Sequence, residues 1–558
     1  MDPPTARILA HQSSGGHRHA PCAGIYGSIL AAPPSLATAA AACGILFIMP
    51  QDQVLIAGAG PTGLVLALWL THLGVKVRLV DKAPEPGTTS RALAVQARTL
   101  EFYQQLGFAQ AVVERGHQIA AVNLWVTGAK VATVPIKEMG RGLSPFSFPL
   151  IFPQDEHERL LTERLGAVGI EVERRTELMG FEDDGQEVRA TLRKADGSEE
   201  IFSAAYLAGC DGARSKTREV LNVGFPGGTY DHLFYVADVQ ASGPPMDGEL
   251  HVDLDEADFL AVFPLKGVGR ARLIGSVRDD AAQNSTELKF EDVQNRAIRN
   301  LKIEVQRVNW FSTYRVHHRV AQAFGKGRAF LLGDAAHIHS PVGGQGMNTG
   351  IGDAVNLAWK LAAVLKEKSS AALLASYEPE RIGFARRLVA TTDRVFAGVI
   401  SSGSIARFVR TEAVPGIMPG LFRMPFFRRL AFRTVSQIGV NYRGSPLSSG
   451  SAGQVCGGDR LPWVATAGTN DNFAPLTTLK WQVHVYGAPN EPLAEFCAQR
   501  GLQFERFAWQ ATCRDAGLMQ DAIYLVRPDG YIALADPERA TQKLVQYFAA
   551  QGIHAAPR

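Results

Sequence analysis

The chain runs to 558 residues, enough for two or three domains, and its 46% hydrophobic content can fill large cores. A net charge of +3 with 20% charged residues gives no electrostatic footprint for nucleic acid. Six cysteines (Cys22, Cys43, Cys210, Cys456, Cys497 and Cys513) are scattered without a C-x-x-C, which speaks against a disulfide framework or a zinc site and fits a reducing, cytoplasmic compartment. Residues 1–48 are rich in Ala, Pro, Ser, Gly and His and are expected to form a disordered extension before Met49. Pro33, Pro34 and Gly44 interrupt their apolar stretch, and Cys43 to Met49 is too short to span a bilayer, so stable membrane insertion is not expected.

The first patterned segment is VLIAGAGPTGLVLALWLTHLGVKVRLVDK, from Val54. Val54 to Ala57 suits a buried parallel strand. Gly58, Gly60 and Gly63 follow at G-x-G-x-x-G spacing. They allow a tight turn, approach of a pyrophosphate to the backbone, and close packing of the next helix. Leu64 to Leu73 reads as that helix, stopped at Gly74. Val77 to Val80 reads as a second strand closed by Asp81, 23 residues after Gly58, where a carboxylate meets the adenosine ribose. Phosphates would sit at the helix N-terminus, with its unpaired N–H groups and positive dipole end. Together these features indicate dinucleotide binding.

Two further segments end strands in glycine and aspartate. AYLAGCDGARS (205–215) runs a strand into Gly209, Asp211 and Gly212, with Arg214 and Ser215 opening a helix. RAFLLGDAAHIHSPVGGQGMNTG (328–350) runs a strand into Gly333 and Asp334, then a bare loop of Pro341, Gly343, Gly344 and Gly346. A long helix follows from near Asn348, and its N-terminal partial charge suits the negative charge a reduced flavin gathers. His337, His339, His317 and His318 lack a carboxylate or cysteine cluster to complete a metal set, so no metal is expected.

The three motifs, in this order, resemble the class A flavin monooxygenases of the p-hydroxybenzoate hydroxylase fold. The nearest flavour is the 3-(3-hydroxyphenyl)propionate hydroxylase, phenol hydroxylase and polyketide hydroxylase group. The resemblance covers about residues 50–555. It implies FAD, with Gly58, Gly60, Thr62 and Gly63 at the pyrophosphate and Asp81 with Lys82 at the adenosine ribose. Arg91 and Arg98, in SRALAVQARTLE, become candidates for the FAD phosphates or ribityl chain, and Gln154 for the flavin chain. Asp211 is linked to FAD and to the nicotinamide cofactor. Asp334 would hold a ribityl hydroxyl, and Pro341, Gly343, Gly346, Met347 and Asn348 would wrap the isoalloxazine ring. NADH or NADPH would be a transient co-substrate, since no second G-x-G-x-x-G follows a strand.

The implied fold is α/β. A discontinuous Rossmann-like FAD domain (49–225 and 310–400) would hold an inserted antiparallel substrate sheet (226–309). A helical connection (401–450) would lead to a thioredoxin-like C-terminal domain (451–558), in which Cys497 and Cys513 are too far apart for a redox pair. PGLFRMPFFRRLAFRTV reads as an amphipathic helix packed on the FAD domain or, as a second reading, a membrane-surface helix. SSGSAGQVCGGDRLP reads as a linker.

The implied reaction is NAD(P)H-driven hydroxylation of a phenolic or other aromatic ring by molecular oxygen through a flavin C4a-hydroperoxide. The alternatives are a flavin oxidase or dehydrogenase, and a monooxygenase of a polycyclic or antibiotic substrate. Tyr314, His317 and Tyr235 are able bases for a phenol, but none is singled out, and the catalytic residue stays unassigned. The other partner considered is a second copy, as a homodimer.

Overall fold

The computed structural model describes residues 53–87, 92–254, 259–277, 288–293, 296–340, 342–400, 404–465, 471–488 and 490–554. The expected extension over residues 1–48, and Arg91 and Pro341, lie outside the described residues.

A six-stranded sheet forms the centre. Its first strand, β1 (Gln53–Ala57), leads into helix α1 (Pro61–His72) and then β2 (Lys76–Asp81). Later in the chain come β3 (Tyr206–Gly209), the short helix α2 (Lys216–Val220), β4 (Ala329–Leu331) and the long helix α3 (Gly346–Leu365). β1 pairs in parallel with β2 and β3, and β3 pairs in parallel with β4. Val54, Leu55 and Ile56 are fully buried, as a strand covered on both faces requires. α1 is buried continuously from Gly63 to Leu70, so its apolar residues need no polar face.

A second sheet has eight strands. The order is His337–Ile338, Glu304–Val320, Gly227–Ser242, Arg270–Ser276, Leu260–Pro264, Leu250–Asp253, Ala121–Val126 and Ala129–Pro135. The sheet thus takes in a hairpin from well before residue 226 and continues past residue 310. Alternation gives it two faces. Tyr235, Ala237, Val262 and Leu273 pack on Phe290, Ile298 and Leu301 behind it. Leu124, Val252, Phe263 and Ile274 face forward into a cluster with Leu93, Ile151, Phe422 and Phe432.

The C-terminal segment has its own sheet. Gln482–Tyr486 is parallel to Gln503–Phe507 and antiparallel to Ile523–Val526, which is antiparallel to Ile532–Asp536. The glycine-rich stretch expected as a linker belongs to this sheet. Ser449–Ala452 pairs with Ile532–Asp536, and Val455–Cys456 pairs with Ser449–Ala452. Its glycines serve close approach rather than flexibility: a Cβ on Gly457 would lie 2.3 Å from the Ser449 nitrogen.

Buried ions dock this segment on the rest. Arg527 donates to Glu380 at 2.8 Å and to Asp529 at 2.6 Å, and Lys360 reaches Glu380 at 2.8 Å. Arg460 pairs with Glu101 at 2.5 Å. Burial pushes the Glu380 carboxyl up, but the Arg527 and Lys360 charges outweigh it and hold Glu380 well below the usual carboxylate range. Among the described residues no helix is long and apolar enough to cross a membrane.

Candidate active site

The three motif loops meet at one edge of the central sheet. Ala57, Gly209 and Leu331 lie in register on β1, β3 and β4, so the loops after them leave from the same side. Open parallel sheets carry their ligands there. The inner side of this edge is too tight for side chains. A Cβ on Gly58, whose φ is +103°, would lie 2.2 Å from the Cys210 carbonyl oxygen, and one on Gly63 would lie 1.9 Å from that of Gly58. Thr62 Oγ1 sits where α1 meets the third motif: a Cβ on Gly333 or Gly350 would stand 2.7 or 2.4 Å from it. Gly60 differs. Among the described residues nothing lies within 4 Å of its Cβ position. The loop therefore has a packed inner side and an open outer side, at a helix start with unpaired N–H groups.

Three aspartates flank this edge. Asp81 accepts the N–H groups of Ala59 and Ala83 at 2.6 and 2.7 Å, which pins the glycine turn to β2. A carboxylate with two such bonds still has lone pairs for a ribose hydroxyl. Asp211 Oδ2 accepts the N–H and hydroxyl of Thr217 at the start of α2, while its buried Oδ1 has no protein partner among the described residues. Asp334 is exposed at the edge. The Gly333 N–H beside it is held by Asp353 Oδ2 at 3.0 Å. Asp353 also takes bonds from His337 Nε2 at 2.7 Å and Arg381 Nε at 2.6 Å. Burial raises its carboxyl, yet Arg381 and His337 hold it below the ordinary value.

The bare loop before α3 turns through two left-handed glycines, Gly343 (φ +75°) and Gly344 (φ +62°). A Cβ on Gly344 would lie 2.6 Å from the Ala94 Cβ. The first turn of α3 leaves the N–H groups of Gly346, Met347 and Asn348 without intrahelical acceptors. His339 stands beside Gly346, its Nδ1 bonded to the Ser340 carbonyl at 2.8 Å. Burial pushes His339 down to about 4, so the ring is neutral near pH 7. The open glycine loop, the spare valences of Asp81 and Asp211 and the helix start fit an FAD.

Of the residues expected there, Gly58, Gly60, Thr62, Gly63, Asp81, Asp211, Asp334, Gly343, Gly346 and Met347 gather around this edge and the α3 start. Lys82 is exposed just beyond Asp81. Gln154 opens the helix Gln154–Ala167; its amide donates to Glu158 at 2.7 Å, and Glu158 in turn accepts the Gly87 N–H at 3.1 Å. Two of the expected side chains are engaged with the chain itself. The buried Arg98 guanidinium donates to Glu101 at 2.8 Å and to the Asp529 carbonyl at 2.7 Å, so both bonds tie it to the protein itself, the second to the C-terminal segment. The buried Asn348 amide is filled by the chain itself. Its oxygen accepts the Gln96 N–H and the Thr99 hydroxyl, and its NH2 donates to the Ala94 and Gly344 carbonyls. Only its backbone N–H is left to face a ring.

Among the able bases, Tyr235 lies on the rear face of the eight-stranded sheet against Phe290 and Phe311. His317 is exposed and bonds Thr229 Oγ1 at 2.7 Å. Tyr314 packs beside Phe234, at the front edge of the sheet. Sequence reading missed Asp353, Arg381 and Arg218, whose guanidinium joins the second and third loops through the Ala213 and Ala335 carbonyls. An aspartate inside an apolar helix is a signal of a buried partner that could have marked Asp353.

Residues 51–392 match the family described as FAD binding domain. The 6-methylpretetramide 4-monooxygenase of Streptomyces rimosus is 36% identical over 542 residues, covering 90% of this chain and 94% of that relative. The pentachlorophenol 4-monooxygenase of Sphingobium chlorophenolicum is 31% identical over 419 residues, covering 73% and 75%. The solved anhydrotetracycline hydroxylase from Streptomyces rimosus superposes with a TM-score of 0.72 at 28% identity, over 91% of this chain and 99% of that one. The chain belongs to the FAD-binding-domain family of class A flavin-dependent aromatic monooxygenases, and it is an FAD-dependent oxidoreductase of that kind.

Proposed function

We propose that this monooxygenase hydroxylates a phenolic ring, with polycyclic polyketide-type phenols its foremost substrates, and draws electrons from NADH or NADPH and oxygen from O2. The observation that carries this reading is the meeting of the three motif loops beside an apolar sheet face. Val252, Phe263 and Ile274 on that face share a cluster with Leu93 and Ala94, the segment that touches Gly344. Such a wall suits a flat apolar substrate and keeps water from the reacting atoms. Relatives named for 6-methylpretetramide and for anhydrotetracycline favour a fused-ring phenol over a single ring.

When bound, FAD supplies the electron acceptance and oxygen activation. The chain's own part is positional. The α1 start and Gly60 bind the pyrophosphate, Asp81 the ribose and Asp334 the ribityl chain. The N–H groups at the α3 start stabilise negative charge on the ring edge. In the C-terminal segment, the strand order supports a thioredoxin-like unit without redox chemistry. Burial pushes the Cys497 thiol up to about 12 and raises Cys513, so both stay protonated. Thiols unpaired among the described cysteines support a reducing, cytoplasmic setting.

The test follows NADH and NADPH consumption with simple and fused-ring phenols, and product mass. The expected result is faster consumption with a fused-ring phenol and a product heavier by one oxygen. Consumption indifferent to every ring would overturn the substrate reading.

A further inference from the structure

The helices Val414–Arg423 and Pro425–Val435 carry more apolar surface than the fold covers. Their inner side is used: Val414, Met418, Phe422, Phe427, Ala431 and Phe432 join the front cluster of the eight-stranded sheet. The outer side is not. Phe426 is 75% exposed, Ile417 57%, Met424 55% and Leu430 52%. Phe426 and Leu430 are one helical turn apart, and Arg429 and Arg433 lie between and beyond them on the same exposed face. The charge there is one-sided. From residue 404 to 435 the chain has six arginines and one acid, Glu412. Monomeric surfaces seldom leave several large apolar side chains together without a partner.

We propose that this outer face docks the enzyme reversibly on an anionic lipid surface. Exposed aromatic and aliphatic residues set among arginines on a helix that lies flat fit the headgroup boundary of a bilayer. The arginines supply attraction to anionic lipid, and Phe426, Leu430, Met424 and Ile417 supply the apolar contact. A second copy fits less well. A two-fold contact through this face would bring Arg429 and Arg433 of each copy against those of the other. The docking needs no spanning segment and leaves the chain outside the hydrocarbon core. It would place the enzyme where sparingly soluble fused-ring phenols collect, and in that respect it rests on the substrate reading above. The docking itself is measured without substrate.

The test is co-sedimentation of the FAD-loaded full chain with vesicles of equal parts phosphatidylglycerol and phosphatidylcholine, and with phosphatidylcholine alone. Binding is expected only to the anionic vesicles, and it should weaken as salt rises. The double variant Phe426→Ser with Leu430→Ser should abolish sedimentation while FAD content stays unchanged. The double variant Arg429→Ala with Arg433→Ala should lower partitioning roughly fivefold per arginine. The proposal is overturned by an absence of binding at low salt, by variants that bind as well as the parent, or by a parent mass in light scattering that halves in the Phe426→Ser, Leu430→Ser variant. That last result would assign the face to a second copy.

Discussion

Gly60 isolates ligand contact from folding. Its φ of −74° and ψ of −179° suit any residue, and its Cβ position meets nothing among the described residues. Gly60→Val should therefore leave the apoprotein's melting temperature nearly unchanged. It should weaken FAD binding by about 3 kcal/mol, on the order of a hundredfold, in a fluorescence titration. Undiminished FAD binding would show that the pyrophosphate does not approach there. Asn348 is the reverse case, a residue whose side chain serves the fold. Asn348→Ala strands two donors and two carbonyls and should cost about 3 kcal/mol or more, read as a lower melting temperature even without FAD. The two residues differ in how well the sequence shows them. Gly60 is legible because its neighbours in space are also its neighbours in the motif. The structural role of the Asn348 side chain is not legible in this way, because its partners, Gln96 and Thr99, lie about 250 positions away.

At the scale of elements, the β-strand ends, α1 and α3 were readable from apolar runs closed by glycine and aspartate. The tie between β4 and α3 was not, since it passes through Asp353, His337 and Arg381. That tie has a pH signature. Asp353 titrates below its unfolded value of about 3.9, so its contribution is complete above that value and is lost as pH falls through the folded one. Asp353→Asn leaves Arg381 buried without its charge partner and should cost about 3–5 kcal/mol at neutral pH. Melting temperatures of parent and variant should differ most at pH 7 and converge in acid below about pH 4. A gap that is constant with pH would rule out the ionised tie.

Across the whole molecule, the C-terminal segment is held as part of the enzyme, a relation that local sequence patterns do not carry. Arg98 meets the Asp529 carbonyl across 431 positions, and Arg527 meets Glu380 across 147. Such pairs have no spacing rule, so neither the Arg98 bonds nor the strand pairing of the Gly-rich stretch near Ser449 can be read from local pattern. Arg527→Met leaves Glu380 with Lys360 as its cationic partner, beside the Asn356 amide and the Ser445 hydroxyl, and should cost about 3–5 kcal/mol. Calorimetry should show the C-terminal segment melting ahead of the FAD-binding body. One unaltered transition would mean that apolar packing, not the ion network, joins them.

The edge shared by β1, β3 and β4 is built to hold one FAD. The most direct measurement is flavin identification and quantitation on the purified chain after gentle denaturation, before and after incubation with excess FAD. A yellow protein is expected that releases FAD and reaches one equivalent per chain on reconstitution. A chain that carries no flavin and takes none up would contradict it.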